Sequence, residues 1–206
     1  MTLYTVGHSN QSQEDFLHMI QTYGIDCIVD VRSMPASNYA PQFNQASIER
    51  FLRNHRVCYH FFGNEFGARR ADAMNEQGQV DFERAIHTPL FKQGVERIQP
   101  LLQKHVVSLM CSEANPLECH RFAFVARYFH EQGVDVQHIL KDATLISHLL
   151  LGKEMVRQYL KARKPQLAEV DELFGTYTSE DQLRDAYRLK NKEIGYRQKQ
   201  TEVYYD

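Results

Sequence analysis

Eleven residues, Cys111 to Arg121 in the stretch LMCSEANPLECHRFAFVARYF, carry two thiols, the Glu113 carboxylate, the His120 imidazole and the Arg121 guanidinium. An apolar run precedes them. After them, Phe122 to Phe129 spread apolar residues almost all round a helical wheel. A helix that is apolar on every side is buried, so charged groups in its first turn need partners or a cleft. Asn115, followed by Pro116 and Glu118, reads as the start of that helix. This places Cys119, His120 and Arg121 in a first turn, where free N–H groups favour anions and lower a thiol's pKa.

Two other apolar runs end in similar chemistry. LYTVG leads into Gly7, His8, Ser9 and Asn10, and IDCIVDVR carries Asp30, Arg32 and then Ser33. Together with VCYHFF, VVSLM and VDVQHIL they make about five strand-like runs, separated by helical patterns. The alternation predicts an α/β fold: a mostly parallel sheet of about five strands with helices on both faces. Such sheets bind ligands outside the carboxyl ends of their strands. His8, Ser9, Asp30, Arg32, Ser33, Cys111, Glu113, Cys119, His120 and Arg121 are therefore predicted to meet at one crevice. The core domain spans residues 1–142. Residues 143–206 form a charged C-terminal extension, helical in part and begun by a helix in TLISHLLLGKEMVRQYL. It offers a surface for packing on the domain or on a second copy of the chain, which would make a homo-oligomer.

Glu113 and Asp30 near two arginines are a kit for acid–base work or for attack at a glycosidic carbon. Glu113 is expected as base or nucleophile, Asp30 as a supporting carboxylate, and His8 as acid or orienting group. Arg32 and Arg121 are anion clamps, since a guanidinium suits carboxylate and phosphate geometry, and Ser9, Ser33 and His120 complete the substrate site. The activity predicted is that of a hydrolase or transferase acting on an anionic, nucleotide-like small molecule or a nucleic-acid component. Two alternatives stay open. One is a thiol-dependent redox or sulfur-transfer enzyme using Cys111 or Cys119. The other is a non-catalytic nucleic-acid or nucleotide-binding module with a basic patch from Arg50, Arg53, Arg69 and Arg70. No cofactor is expected, because neither a P-loop nor G-x-G-x-x-G occurs. No metal is expected either: the cysteines lack paired C-x₂₋₄-C spacing, and adjacent helical residues such as Cys119 and His120 point about 100° apart.

Composition adds few constraints. The formal net charge of −2 gives no global attraction to nucleic acid or membrane. The N-terminus MTLYTVGHSN has no signal-peptide pattern, and no apolar run approaches the roughly 18 residues of a membrane span. A cytoplasmic protein is expected, with no membrane partner. Cys27, Cys58, Cys111 and Cys119 would then be reduced, the first two as core thiols.

TVGHSN, IVDVRSMPAS, QFN, LMCSEANPLECHR and VQHIL resemble, over roughly residues 1–140, a bacterial family of domains of unknown function, the one numbered 488. The matching elements are Gly7-His8-Ser9; Asp30, Arg32, Ser33 and Pro35; and Cys111, Glu113, Cys119, His120 and Arg121. The resemblance implies the fold and the location of the site, and no reaction.

Overall fold

The computed structural model describes residues 1–162 and 178–198. Strands β1 (Thr2–Gly7), β2 (Cys27–Asp30), β3 (Cys58–Phe61), β4 (Val107–Cys111) and β5 (Asp135–Ile139) are parallel, and β6 (Leu145–Ser147) lies antiparallel to β5. The order across the sheet is β3-β2-β4-β1-β5-β6. The sixth strand, three residues long, sits inside what the pattern predicts as helix. Pairing with β5 holds Leu145–Ser147 extended, and Ser147 then caps the helix that follows by accepting from the Leu150 N–H. From β1 the chain moves to one side of the sheet, and from β4 to the other. β1 and β4 are neighbours, so the crevice at their carboxyl ends is the topological switch point where open α/β sheets bind ligands.

Helices cover both faces. On one, α1 (Gln13–Thr22) and α2 (Gln45–Asn54) pack Phe16, Ile20, Ile48 and Leu52 against Val6, Ile28 and Met110. Short helices α3 (Gly63–Phe66) and α4 (Phe82–Ala85) lead across to α5 (Pro89–Lys104) on the other face. Pro100 lies inside α5 without ending it; its ring faces solvent, and only one backbone bond is lost. A π-helical turn, Arg121–Ala126, runs into α6 (Arg127–Glu131). It is buried throughout, as its all-round apolar pattern requires.

The C-terminal residues share this second core. From α7 (His148–Lys161) and α8 (Ser179–Ile194), Leu151, Met155, Tyr159, Ala186, Tyr187 and Leu189 join Leu3, Val29 and Leu109 in one cluster. The cysteine expectation needs correction. The β2–β3 register sets Cys27 opposite Cys58 with Cα atoms 4.5 Å apart, and the two are joined as a disulfide, while Cys111 and Cys119 are free. Among the described residues no helix is long and apolar enough to cross a membrane.

Candidate functional site

The end of β2 is a closed clasp. Asp30 accepts from the Arg32 backbone N–H at 3.0 Å, from Arg32 Nε at 2.9 Å, from Arg32 Nη2 at 2.6 Å and from the Tyr59 hydroxyl at 2.6 Å. Its carboxylate is fully buried, with its acceptor capacity taken up inside the protein. Burial and the Asp30 charge push the Tyr59 hydroxyl far above the ordinary tyrosine range, so it stays a donor. Arg32 also donates from Nη1 to His8 Nε2 at 3.0 Å. A guanidinium only donates, so His8 carries its proton on Nδ1 and gives it to the Ser9 carbonyl at 2.7 Å. Burial, then the Arg32 charge, lower His8 to about 4. It is neutral at physiological pH and stacked on Phe43 at 4.3 Å.

The end of β4 gathers the other chemistry. Cys111 Sγ lies 3.1 Å from Glu113 Oε2 and 3.7 Å from His120 Nδ1, and Cys119 Sγ lies 3.9 Å from the same nitrogen. The helix does not begin where the sequence pattern puts it. Pro116–Glu118 is a 3-10 turn capped by Asn115, and Cys119 is extended at φ −128° and ψ 140°. His120 is the first helical residue, at φ −60° and ψ −25°. The divergence expected of neighbours on a helix therefore does not apply, and both side chains fold back over Cys111. Burial, and hydrogen bonding with Cys119, push the Cys111 thiol well above the usual range. Burial acts the same way on Cys119, but the Cys111 hydrogen bond and the Arg121 and His120 charges outweigh it and hold that thiol well below. Glu113 is exposed as a residue, yet its carboxyl, turned onto Cys111, is raised above the ordinary carboxylate range by partial desolvation and then by the Cys119 charge.

These groups face a cleft of about 260 Å³ walled by Arg32, Ser33, Arg69, Cys111, Glu113, His120 and Tyr196, among others. Arg32, Ser33, Cys111, Glu113 and His120 thus share a crevice as predicted, while His8 and Asp30 sit behind Arg32 and orient it. Cys119 is beneath the wall, 1 % exposed. Arg121, predicted on the wall, is fully buried behind it and donates to the carbonyls of Glu113 at 2.6 Å and Ala114 at 3.1 Å. Ser9 lies outside the cleft lining, at a left-handed φ of 49°, and ties β1 to β4 through its N–H to the Ser112 carbonyl. Gly7 is needed where the Glu113 carbonyl crosses it, because a Cβ there would overlap that backbone.

Three wall or clasp residues carry no sequence signal of their role. Tyr59 is a mid-strand aromatic. Tyr196 and Ile194 arrive from the end of α8, more than 70 residues beyond the motif. Arg69 reads in the sequence as part of a basic patch. It stands exposed on the cleft wall with its N–H held by Ser33 Oγ at 2.9 Å and its guanidinium over the Tyr196 ring. Arg70 is no part of such a patch: it is buried and bonded to Asp72 and Thr88.

The molecule is a doubly wound α/β protein whose switch-point cleft combines thiol, carboxylate, imidazole and guanidinium groups. The model of the family described as domain of unknown function DUF488 matches residues 12–128, and the chain belongs to that family. No curated protein and no solved structure matches the chain.

Proposed function

We propose that the protein is a hydrolase or transferase acting on a small anionic substrate, with Glu113 as the proton-transferring carboxylate and Arg32 and Arg69 as anion contacts. One observation carries this reading. A carboxyl raised above its usual range opens into the same cleft as two guanidiniums. A raised carboxyl is suited to give and take protons near neutral pH. Arg32 keeps one N–H on each terminal nitrogen beyond those used by Asp30 and His8, held in place by the clasp.

Size supports a substrate of nucleotide type. The 260 Å³ cleft suits a reacting fragment, and a second cleft of about 530 Å³ adjoins it, sharing Ser33 and Arg69 and lined by Asn64, Asp72 and Leu90. An anionic group at Arg69 would lie between the two. The carboxylate reading is favoured over the thiol one. Cys111, the thiol on the wall, is held protonated, and Cys119, the acidic one, is off the wall.

The test uses inorganic phosphate and a nucleoside monophosphate as probes in thermal unfolding. A ligand bound to the folded state raises stability with its concentration relative to Kd. Native protein should gain more per increment of either probe than Arg69→Gln, with a sodium chloride series of equal ionic strength as control. Glu113→Gln should keep the gain and lose about 100-fold or more in turnover of the anionic ester found by screening. Parallel melting curves for native protein and Arg69→Gln would overturn the anionic-substrate reading.

A further inference from the structure

Two thiols and an imidazole buried together make an unusual core. Cys111 is 3 %, Cys119 1 % and His120 7 % exposed. Their donor atoms all lie within 4.8 Å of one another. In a tetrahedral zinc site, with Zn–S near 2.3 Å and Zn–N near 2.0 Å, sulfur and nitrogen ligands stand about 3.6 Å apart. The two S···Nδ1 separations here are 3.7 and 3.9 Å.

The surrounding bonds fit the same role. His120 Nε2 meets the Val31 carbonyl at 2.9 Å. A carbonyl only accepts, so Nε2 carries a proton, and Nδ1 is the nitrogen turned to the two sulfurs. The thiols and Nδ1 give up any protons they hold when a metal binds. Metal-binding histidines are oriented in this way by a partner on the far nitrogen. The Arg121 backbone N–H points at Cys119 Sγ at 3.4 Å, a donor suited to a thiolate. The second cluster of this composition, Cys27, Cys58 and His60, has both sulfurs in a disulfide and offers no thiolate.

We propose that Cys111, Cys119 and His120 bind one zinc-class divalent ion whose fourth coordination position opens into the cleft beside Glu113. Thiolate with imidazole selects zinc or its soft neighbours over magnesium or calcium. Three protein ligands with an open position are the pattern of a catalytic site, whereas structural zinc sites are closed by four. Cys111 and His120 line the cleft, and the Glu113 carboxylate reaches to 3.1 Å from Cys111 Sγ. The catalytic use of the ion rests on the function proposed above, but metal binding does not. In that use the ion would polarise a water in its open position. Glu113 would take the water's proton as the oxygen bonds to the electrophilic centre of the substrate, and would return it to the leaving group as that bond breaks with its electron pair.

The test needs no substrate. Full-length protein, purified with reductant from zinc-supplemented culture, should contain about one equivalent of zinc. X-ray absorption should show two sulfur neighbours near 2.3 Å and nitrogen or oxygen neighbours near 2.0 Å. Apo protein titrated with Co²⁺ should develop thiolate charge-transfer absorption and the ligand-field bands of tetrahedral cobalt. Cys111→Ala and His120→Ala should lose that spectrum, while Cys58→Ser and Glu113→Gln keep the charge-transfer band. Native protein that takes up no stoichiometric metal, or a native zinc spectrum without sulfur neighbours, overturns the proposal even where a variant fails to fold. So does a charge-transfer band that survives Cys111→Ala or disappears in Cys58→Ser. The anion test and the metal test fail independently: losing the Arg69 effect leaves the cobalt spectrum in place, and the reverse also holds.

Discussion

At Gly7 one hydrogen atom decides whether the site can form. The chain leaves β1 there while the Glu113 carbonyl passes against its Cα, and that carbonyl is what Arg121 holds. A methyl group would meet backbone, which cannot rotate aside. Gly7→Ala should cost about 3 kcal/mol, the upper part of the range for overpacking. Urea unfolding would read this as a lower midpoint at constant slope. A loss below about 1 kcal/mol would mean the loop moves freely, and Glu113 would then not be positioned by Gly7. Asp30 teaches a related lesson. Its type and place suggest catalysis, but four donors consume it, so its contribution is the fixed direction of Arg32.

At the scale of elements, a buried relay joins the sheet to the C-terminal helices. Thr5 Oγ1 meets His138 Nδ1 at 2.8 Å, His138 Nε2 meets His148 Nδ1 at 3.0 Å, and His148 Nε2 meets the Tyr187 hydroxyl at 2.8 Å. These contacts link β1, β5, α7 and α8. Each ring must be neutral to donate at one nitrogen and accept at the other. Burial, then its histidine neighbour His148 and the Arg121 charge, hold His138 well below 6.5. Burial, then His130 and Arg127, lower His148 to about 3. Both folded values are depressed. Stability is thus fully present above about 6.5 and falls as the pH drops toward 3, because the unfolded chain takes up protons that the folded one refuses. Each histidine adds about 1.4 kcal/mol per pH unit to that slope. His148→Gln should flatten the dependence by about this amount between pH 6 and 5, where carboxylates contribute less. An unchanged slope in urea titrations at those pH values would remove His148 from the relay.

For the whole molecule, the C-terminal helices belong to the site. Gln79 Nε2 donates to the carbonyls of Asn191, Lys192 and Gly195. Asn191 in turn bonds the Val80 carbonyl and the Phe82 N–H, and the Val80 N–H reaches the Tyr196 carbonyl. This seam sets Ile194 and Tyr196 into the cleft wall. A chain ended before Thr178 should melt at least about 10 °C lower, since Tyr187, Leu189 and Ala186 leave the core and each kcal/mol is worth about 2–4 °C at this size. It should also lose most of its phosphate response, with Arg69 no longer resting on Tyr196. An unchanged melting temperature would show that α8 adds nothing to the core.

The α/β class, the covering of both sheet faces by helices and the strand ends that carry chemistry are all legible in the amino-acid sequence. Each follows from local periodicity and from short polar endings on apolar runs. The sequence also placed Arg32, Ser33, Cys111, Glu113 and His120 at one crevice, because parallel strands deliver their carboxyl ends to one edge. Tertiary structure alone decided which polar groups stay free. Asp30 is spent on Arg32 and Tyr59, Arg121 is turned inward onto the Glu113 and Ala114 carbonyls, and Arg69 and Tyr196 are brought in from remote segments. The thiols and His120 converge because Cys119 is extended rather than helical. Such outcomes depend on strand register and on the dihedral angles of single residues, which side-chain pattern does not encode.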